Sequence, residues 1–217
     1  HTGFKGAWLA LWLEQLGAKV HGLALAPETR PNAFEVLGIE DRIASSRLIN
    51  MNDFETVQKH VIDINPDVVF HLAAQALVRK AYKSPLDTFA TNIMGTAHIL
   101  EAIRSSSKPI SVIAVTTDKV YHNKEWIWPY RENDPLGGHE PYSASKSGAE
   151  HVISAYRQTY FNDESGIKVV SVRAGNVIGG GDWAKDRLIP DAIESFSKQI
   201  PLILRNPSAT RPWQHVF

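Results

Sequence analysis

The chain has 217 residues, 43% of them hydrophobic, with 23 basic and 23 acidic side chains and no cysteine. That length and apolar content suffice for one large domain, or for one domain and part of another. The balanced charge carries no footprint for nucleic acid or an anionic membrane. The lack of cysteine excludes disulfides, thiol catalysis and zinc–thiolate sites, and no apolar run approaches the roughly 20 residues that span a bilayer. A soluble cytoplasmic protein without a metal is expected. His1 is not an initiator residue and Phe217 follows directly on a polar, motif-like segment, so a fragment of a longer protein is expected.

The start, His-Thr-Gly-Phe-Lys-Gly, leads into an apolar, helix-compatible segment to Leu16, with Gly17 placed as a stop. Glycines three apart at a helix start suit a phosphate-binding turn. Gly3 lets the backbone approach a pyrophosphate, and Gly6 lets the helix pack close to a sheet. A strand and a first glycine ordinarily precede such a turn. Residues 19–25 read as a strand, but Leu25-Ala26-Pro27 offers none of the carboxylate that a dinucleotide fold places there for the adenosine ribose. Residues 47–50 read as the next strand, and 53–64 as a helix capped by Asp53 and ended by Pro66. Residues 68–72 read as a strand closed by His71-Leu72-Ala73-Ala74-Gln75, whose small side chains let a ligand approach the backbone.

Residues 88–104 read as one long helix holding Asn92, which there needs either solvent or a partner. Residues 110–115 read as a buried strand, 142–160 as a helix after a turn at 134–138, and 168–172 as the last strand of the alternation. Past Gly179-Gly180-Gly181 the pattern changes: Pro190 opens a helix through Lys198, and 201–204 read as a short strand. Strands alternating with helices up to Val172 predict an α/β fold, a doubly wound parallel sheet of Rossmann type that lacks its first strand. The rest reads as the start of a smaller C-terminal domain over the sheet's carboxyl edge.

Two polar stretches carry the chemistry, Val115-Thr116-Thr117-Asp118-Lys119-Val120-Tyr121 and Pro141-Tyr142-Ser143-Ala144-Ser145-Lys146. In open parallel sheets ligands sit beyond the carboxyl ends of strands, which is where Thr117, Asp118 and Lys119 fall. Tyr142 and Lys146 are four apart and share one helix face. An ammonium beside a phenol favours the phenolate, so Tyr142 is a base well below the free-phenol pKa of roughly 10. A single Tyr-x-x-x-Lys reads most simply as a solvated helix face. Two polar clusters, that pair and Thr117-Asp118-Lys119, each after a strand-like segment, read as an active site.

Gly3-Phe4-Lys5-Gly6, His71-Leu72-Ala73-Ala74-Gln75, Thr117-Asp118-Lys119-Val120-Tyr121, Tyr142-Ser143-Ala144-Ser145-Lys146 and Arg173-Ala174-Gly175-Asn176 together resemble an extended short-chain dehydrogenase/reductase. More narrowly, and over essentially the whole chain, they resemble the CDP-D-glucose 4,6-dehydratases of bacterial deoxysugar synthesis. The Tyr-x-x-x-Lys pair is common to the superfamily. Thr117-Asp118-Lys119 discriminates, because the related dTDP-glucose dehydratases carry Thr-Asp-Glu there and sugar epimerases usually have neither acid nor lysine. The run 179–183 and Asn123-Lys124-Glu125-Trp126 also favour the CDP-sugar branch.

The resemblance implies an NAD-binding domain over 1–173 and the start of a nucleotide-sugar-binding domain over 174–217. Thr2, Gly3, Phe4, Lys5, Gly6, Ala73, Ala74 and Gln75 would lie along NAD, with Asn92 bracing the strand-end loops and Lys146 on the nicotinamide ribose. Asn176, Arg187 and Arg211 match positions near the nucleotide sugar, where arginines suit a diphosphate because they grip it bidentately. Tyr142 would take the proton of the sugar's 4-hydroxyl while hydride passes from carbon 4 to NAD, with Thr117 on the 4-oxygen. Asp118 as acid and Lys119 as base would remove water across carbons 5 and 6, and hydride would return to carbon 6. The product, CDP-4-keto-6-deoxy-D-glucose, leads toward the dideoxysugars of surface polysaccharide such as the O-antigen of lipopolysaccharide. Asn50, where the family usually has an acid, and the missing carboxylate near Pro27 imply modest NAD affinity. Family habit implies a homo-oligomer, a dimer or tetramer, built through the helices at 88–104 and 142–160. Rival readings are a dTDP-sugar 4,6-dehydratase, a nucleotide-sugar 4-epimerase, and a non-catalytic dinucleotide-binding regulator on the same fold.

Overall fold

Every strand ladder in the chain is parallel. In the computed structural model, which describes residues 1–217, the elements run α1 (Phe4–Gln15), β1 (His21–Ala24), α2 (Ala33–Val36), α3 (Ile39–Arg42), β2 (Ser45–Leu48), α4 (Phe54–Ile64) and β3 (Val68–His71). They continue as α5 (Val78–Lys83), α6 (Pro85–Phe89), a π turn (Ala90–Met94), α7 (Gly95–Arg104), β4 (Ile110–Thr117), a 3-10 turn (Asp118–Val120), α8 (Pro141–Thr159), β5 (Ile167–Ala174), β6 (Asn176–Ile178), α9 (Leu188–Ser197) and β7 (Trp213–His215). The chain divides into two units, His1–Leu48 with Gly175–Phe217, and Ile49–Ala174.

In the first unit, β1 pairs with β2 and β6 with β7. Ala7 and Ala10 on α1 are small enough to let α2 and α3 close in, and they share a core with Ala33, Phe34, Ile39 and Ile43. Gly17 follows α1 with φ +84, a left-handed conformation open to glycine at little cost.

In the second unit β3, β4 and β5 form a sheet in that order. On β4, Ile110, Val112 and Ala114 are buried at alternate positions while Ser111 faces out, the period-two pattern of a half-covered strand. Helix α8 packs on β4 and β5, and α4 packs on α7. Leu100 and Ile103 of α7 are fully buried, each contributing about 1.5–3 kcal/mol by leaving water. Asp53 caps α4 as expected, accepting from Thr56 N at 3.2 Å.

The fold is the expected α/β, and several boundaries differ from the sequence reading. The strands hydrogen-bond in separate groups of two, three and two rather than in one sheet. The strand expected at 47–50 lies at Ser45–Leu48. The single helix expected at 88–104 is α6, the π turn and α7, because Asn92 is drawn to partners outside the helix. Helix α9 starts at Leu188, two residues before Pro190, which sits in its first turn where a missing N–H costs nothing. Residues 201–204 form no strand: Ile203 is 84% exposed and no ladder forms there. The unforeseen partner of β6 is instead Trp213–His215.

Candidate active site

The carboxyl end of β4 delivers Thr116 and Thr117, both buried, and the chain turns at once into the 3-10 turn. The Thr117 hydroxyl donates to Asp118 Oδ1 at 3.1 Å and accepts from Lys119 N at 3.3 Å. The turn is thereby folded back on the residue that starts it.

Opposite stands the start of α8. Glu140 caps it, its carboxylate accepting from Tyr142 N at 2.7 Å and Ser143 N at 2.9 Å, while Ser143 Oγ accepts from Glu140 N at 3.4 Å. This reciprocal cap, with Pro141 in the first helical position, fixes where the helix begins and so where Tyr142 stands. One face of α8 then presents Tyr142, Lys146 and Glu150, at 9%, 5% and 5% exposure, so this polar stripe is a buried one. Lys146 Nζ donates to Val115 O at 3.1 Å, which ties α8 to β4. Lys119 Nζ lies 5.8 Å from the centre of the Tyr142 ring. Thr117, Asp118, Lys119, Tyr142 and Lys146 thus gather at one sheet end.

The loop after β3 joins them through Asn92. Its carboxamide accepts from Gln75 N at 2.8 Å, and donates to Gln75 O at 3.0 Å and to Ser145 Oγ at 2.8 Å. Ser145 in turn donates to Tyr142 O at 2.7 Å. The π turn widens the helix where Asn92 sits, a distortion found often at functional sites. Ala73 and Ala74 lie half-buried between β3 and Gln75, and Gln75 is held by Thr88 Oγ1 at 3.0 Å. Beside them His71 is buried, with Nε2 3.1 Å from Thr96 Oγ1. Burial, and secondarily the Lys146 cation, push His71 down to about 3, so it stands neutral.

Glu150 accepts from Thr116 Oγ1, from Ser171 Oγ at 2.9 Å, and from Arg173 through Nε at 3.0 Å and Nη2 at 3.1 Å. Burial alone would raise its pKa; Arg173 and the two hydroxyls outweigh that and hold the carboxyl below its ordinary value.

The remaining expected residues lie in the first unit. Gly3 precedes the twelve-residue α1, and nothing stands within 4 Å of where a Cβ would point. A Cβ on Gly6 would come within 3.1 Å of the His1 backbone, a tight approach that His1 would have to yield to by a few tenths of an ångström. An open glycine at a helix N-terminus fits a dinucleotide's pyrophosphate. The Thr2 hydroxyl donates to Leu25 O at 2.7 Å. Lys5 is brought near Asp182 and Arg187, and its pKa is lowered by burial first and by Arg187 second. Arg187 Nη1 donates to Asp182 Oδ2 at 2.8 Å. Asn176 opens β6, with its N–H on Pro212 O at 3.0 Å, next to exposed Arg211. Phe4 faces Gly179, where an added Cβ would be 3.3 Å from Phe4 Cζ.

Over residues 1–217 the sequence matches the family of GDP-mannose 4,6 dehydratase. The chain belongs to that family. It is 50% identical over 221 residues to CDP-glucose 4,6-dehydratase of Salmonella typhimurium, a match covering 100% of this chain and 61% of the Salmonella protein. It is 29% identical over 192 residues to UDP-glucose 4-epimerase of Mycoplasma pneumoniae, covering 81% of this chain and 55% of that one. Among solved structures, UDP-glucuronic acid 4-epimerase from Bacillus cereus, in complex with UDP-glucuronic acid and NAD, matches with a TM-score of 0.83 at 25% identity, covering 99% of this chain and 67% of that one. The chain therefore spans less than two thirds of the length of the curated relatives named here.

Sequence reasoning missed Glu140 and Glu150 at this site, and gave no role to His71, Thr116 and Ser145, which stand inside its motifs. Glu150 had one readable signal: it continues the Tyr142–Lys146 spacing by another four residues.

Proposed function

We propose that this chain is part of an NAD-dependent CDP-glucose 4,6-dehydratase, a hydro-lyase that converts CDP-D-glucose to CDP-4-keto-6-deoxy-D-glucose. The observation that carries the reading is the Thr117-Asp118-Lys119 turn set against Tyr142, with Lys119 Nζ 5.8 Å from the phenol ring. An epimerase has no use for an acid and a base there, whereas a dehydratase needs both, and an amine as the base sets this chain apart from the Thr-Asp-Glu of the dTDP-sugar dehydratases. The 50% identity to the Salmonella enzyme supports the same choice and the CDP base.

NAD, when bound, takes two electrons from the sugar and gives them back, so the net reaction is loss of water. The chain's own groups do the rest. Tyr142, as phenolate, takes the proton of the 4-hydroxyl, and the neighbouring Lys146 ammonium favours that charge state. Thr117 donates to the 4-oxygen. Lys119 takes the proton of carbon 5, made acidic by the adjacent ketone, and Asp118 gives a proton to the departing 6-hydroxyl, which leaves as water; as the electron pair returns to carbon 6, Lys119 gives its proton back to carbon 5. Thr2, Gly3, Phe4, Lys5, Gly6, Ala73, Ala74, Gln75 and Asn92 hold the cofactor, and Lys146 its nicotinamide ribose. Asn176, Arg187 and Arg211 take the nucleotide sugar's diphosphate. Residues 1–173 supply the NAD-binding domain and 174–217 the start of the sugar-nucleotide domain. The enzyme works in the cytoplasm as a homo-oligomer through the segments 88–104 and 142–160, where Met94 of the π turn and Tyr160, the residue that ends α8, are 50% and 47% exposed. Its product feeds dideoxysugars of surface polysaccharide.

The test is product analysis with the full-length protein, NAD and, separately, CDP-, dTDP- and UDP-glucose. The 4-keto-6-deoxy product absorbs in alkaline ultraviolet, and it is expected from CDP-glucose far faster than from the others. A 4-epimer, an equal rate with dTDP-glucose, or cofactor binding without turnover would each overturn the reading.

A further inference from the structure

Arg173 sits at the end of β5, where all three of its guanidinium nitrogens donate and one face meets a ring. Two nitrogens grip both oxygens of Glu150, Nη1 donates to Glu132 O at 3.0 Å, and its carbon lies 4.9 Å from the centre of the Tyr121 ring. Glu150 and Arg173 are 5% and 16% exposed, so the pair is shielded from water and each charge depends on the other. Lysine cannot replace such a fork, having neither the planar bidentate geometry nor the stacking face.

This pair pins the chain on both sides of the 3-10 turn. Before it, the Thr116 hydroxyl donates to Glu150. After it, Tyr121 lies on Arg173. The segment beyond is clasped too: Gly137 N donates to Val120 O at 2.7 Å, and His122 N to Pro135 O at 2.9 Å. The ring of Tyr130 stacks on Tyr121 at 5.1 Å, and its hydroxyl accepts from Lys124 N at 2.7 Å. Glu150 itself is four residues from Lys146 and eight from Tyr142 on α8, so one rigid helix carries both the phenol and the anchor of the turn.

We infer that Arg173 is a positioning residue, which through Glu150 and Tyr121 sets the Asp118–Lys119 turn at its working distance from Tyr142 and Lys146. The inference rests on the reaction proposed above and assigns Arg173 to the step that removes water. Oxidation at carbon 4 needs only α8 and Thr117; the acid and the amine hang from the pinned turn.

The test is Arg173→Lys in the full-length, NAD-loaded enzyme with CDP-glucose. A misplaced acid–amine pair is expected to lower kcat about ten- to hundred-fold with KM within about twofold. Reduced-cofactor absorbance builds up because oxidation outruns elimination. Amide exchange is expected to rise over residues 118–136 and to stay unchanged over 141–159. Tyr121→Leu keeps the ion pair, so it stays folded even where Arg173→Lys does not, and it is expected to show the same build-up and the same local exchange. Unchanged kcat, a fall in kcat with no reduced cofactor, or exchange rising equally everywhere would overturn the inference. Wild-type enzyme that makes no 4-keto-6-deoxy sugar defeats the proposed reaction instead; exchange over 118–136 that is unchanged in the variants defeats the strut whatever the reaction.

Discussion

Asn92 donates to Ser145 at 2.8 Å, from inside one helix to inside another, while its other contacts close on both backbone groups of Gln75. One buried carboxamide thus satisfies three groups on two elements. Asn92→Ala strands the Gln75 N–H and carbonyl away from water. The expected loss of stability is about 2–6 kcal/mol, since each of the two unpaired groups costs about 1–3 kcal/mol. Urea unfolding midpoints of the variant and the wild type measure it; a change below about 1 kcal/mol means water replaces the carboxamide.

Tyr142→Phe removes one hydroxyl and leaves the helix cap untouched, because that cap uses the backbone N–H of residue 142. Turnover is expected to fall about 10²–10⁴-fold, the usual range for loss of a general base, with an unchanged unfolding midpoint. Product formation near the wild-type rate would remove Tyr142 from the chemistry.

Lys119→Ala addresses the other half of the site. The sugar is still oxidised at carbon 4, so reduced cofactor accumulates, and exchange of the carbon-5 hydrogen with solvent disappears. Stopped-flow absorbance and proton NMR of the recovered sugar follow the two effects. Overall turnover equal to wild type is incompatible with Lys119 as the base.

His71 gives the molecule a pH dependence. Burial and the Lys146 cation hold it at about 3, against 6.5 for an ordinary histidine. Between those values the unfolded chain binds a proton that the folded chain refuses. The stability that neutral His71 supports is therefore complete above about pH 6.5 and falls by up to about 1.4 kcal/mol for each pH unit below it. His71→Gln is expected to flatten the denaturant-midpoint curve between pH 6.5 and 5. Parallel curves for variant and wild type would mean that another group carries the slope.

Tyr142 and Lys146 were legible because a four-residue spacing and a strand before it are local facts, and Asp53 was legible because a cap is local too. Glu150 was not. A carboxylate four residues past a lysine on a helix reads as a solvent-facing ion pair, and its real partner, Arg173, is brought beside it only when β5 pairs with β4. The π turn escaped for the same reason: helical periodicity cannot register that Asn92 is pulled off its helix by Gln75, seventeen residues earlier. Residues 201–204 look like a strand by composition, but a strand exists only with a neighbour, and pairing brought Trp213–His215 to β6 instead. The four-residue helices α2 and α3 are too short to set up any period.

The π turn also limits how this chain can vary. It holds one residue more than a regular turn, and each residue rotates a helix by about 100°. Deleting a single position within Ala90–Met94 would let the segment relax into ordinary helix and swing Ile99, Leu100 and Ile103, all now interior, around toward solvent. Any attempt to shorten the protein, graft this region or design a tighter variant must keep that count, even where no side chain at the deleted position is itself irreplaceable.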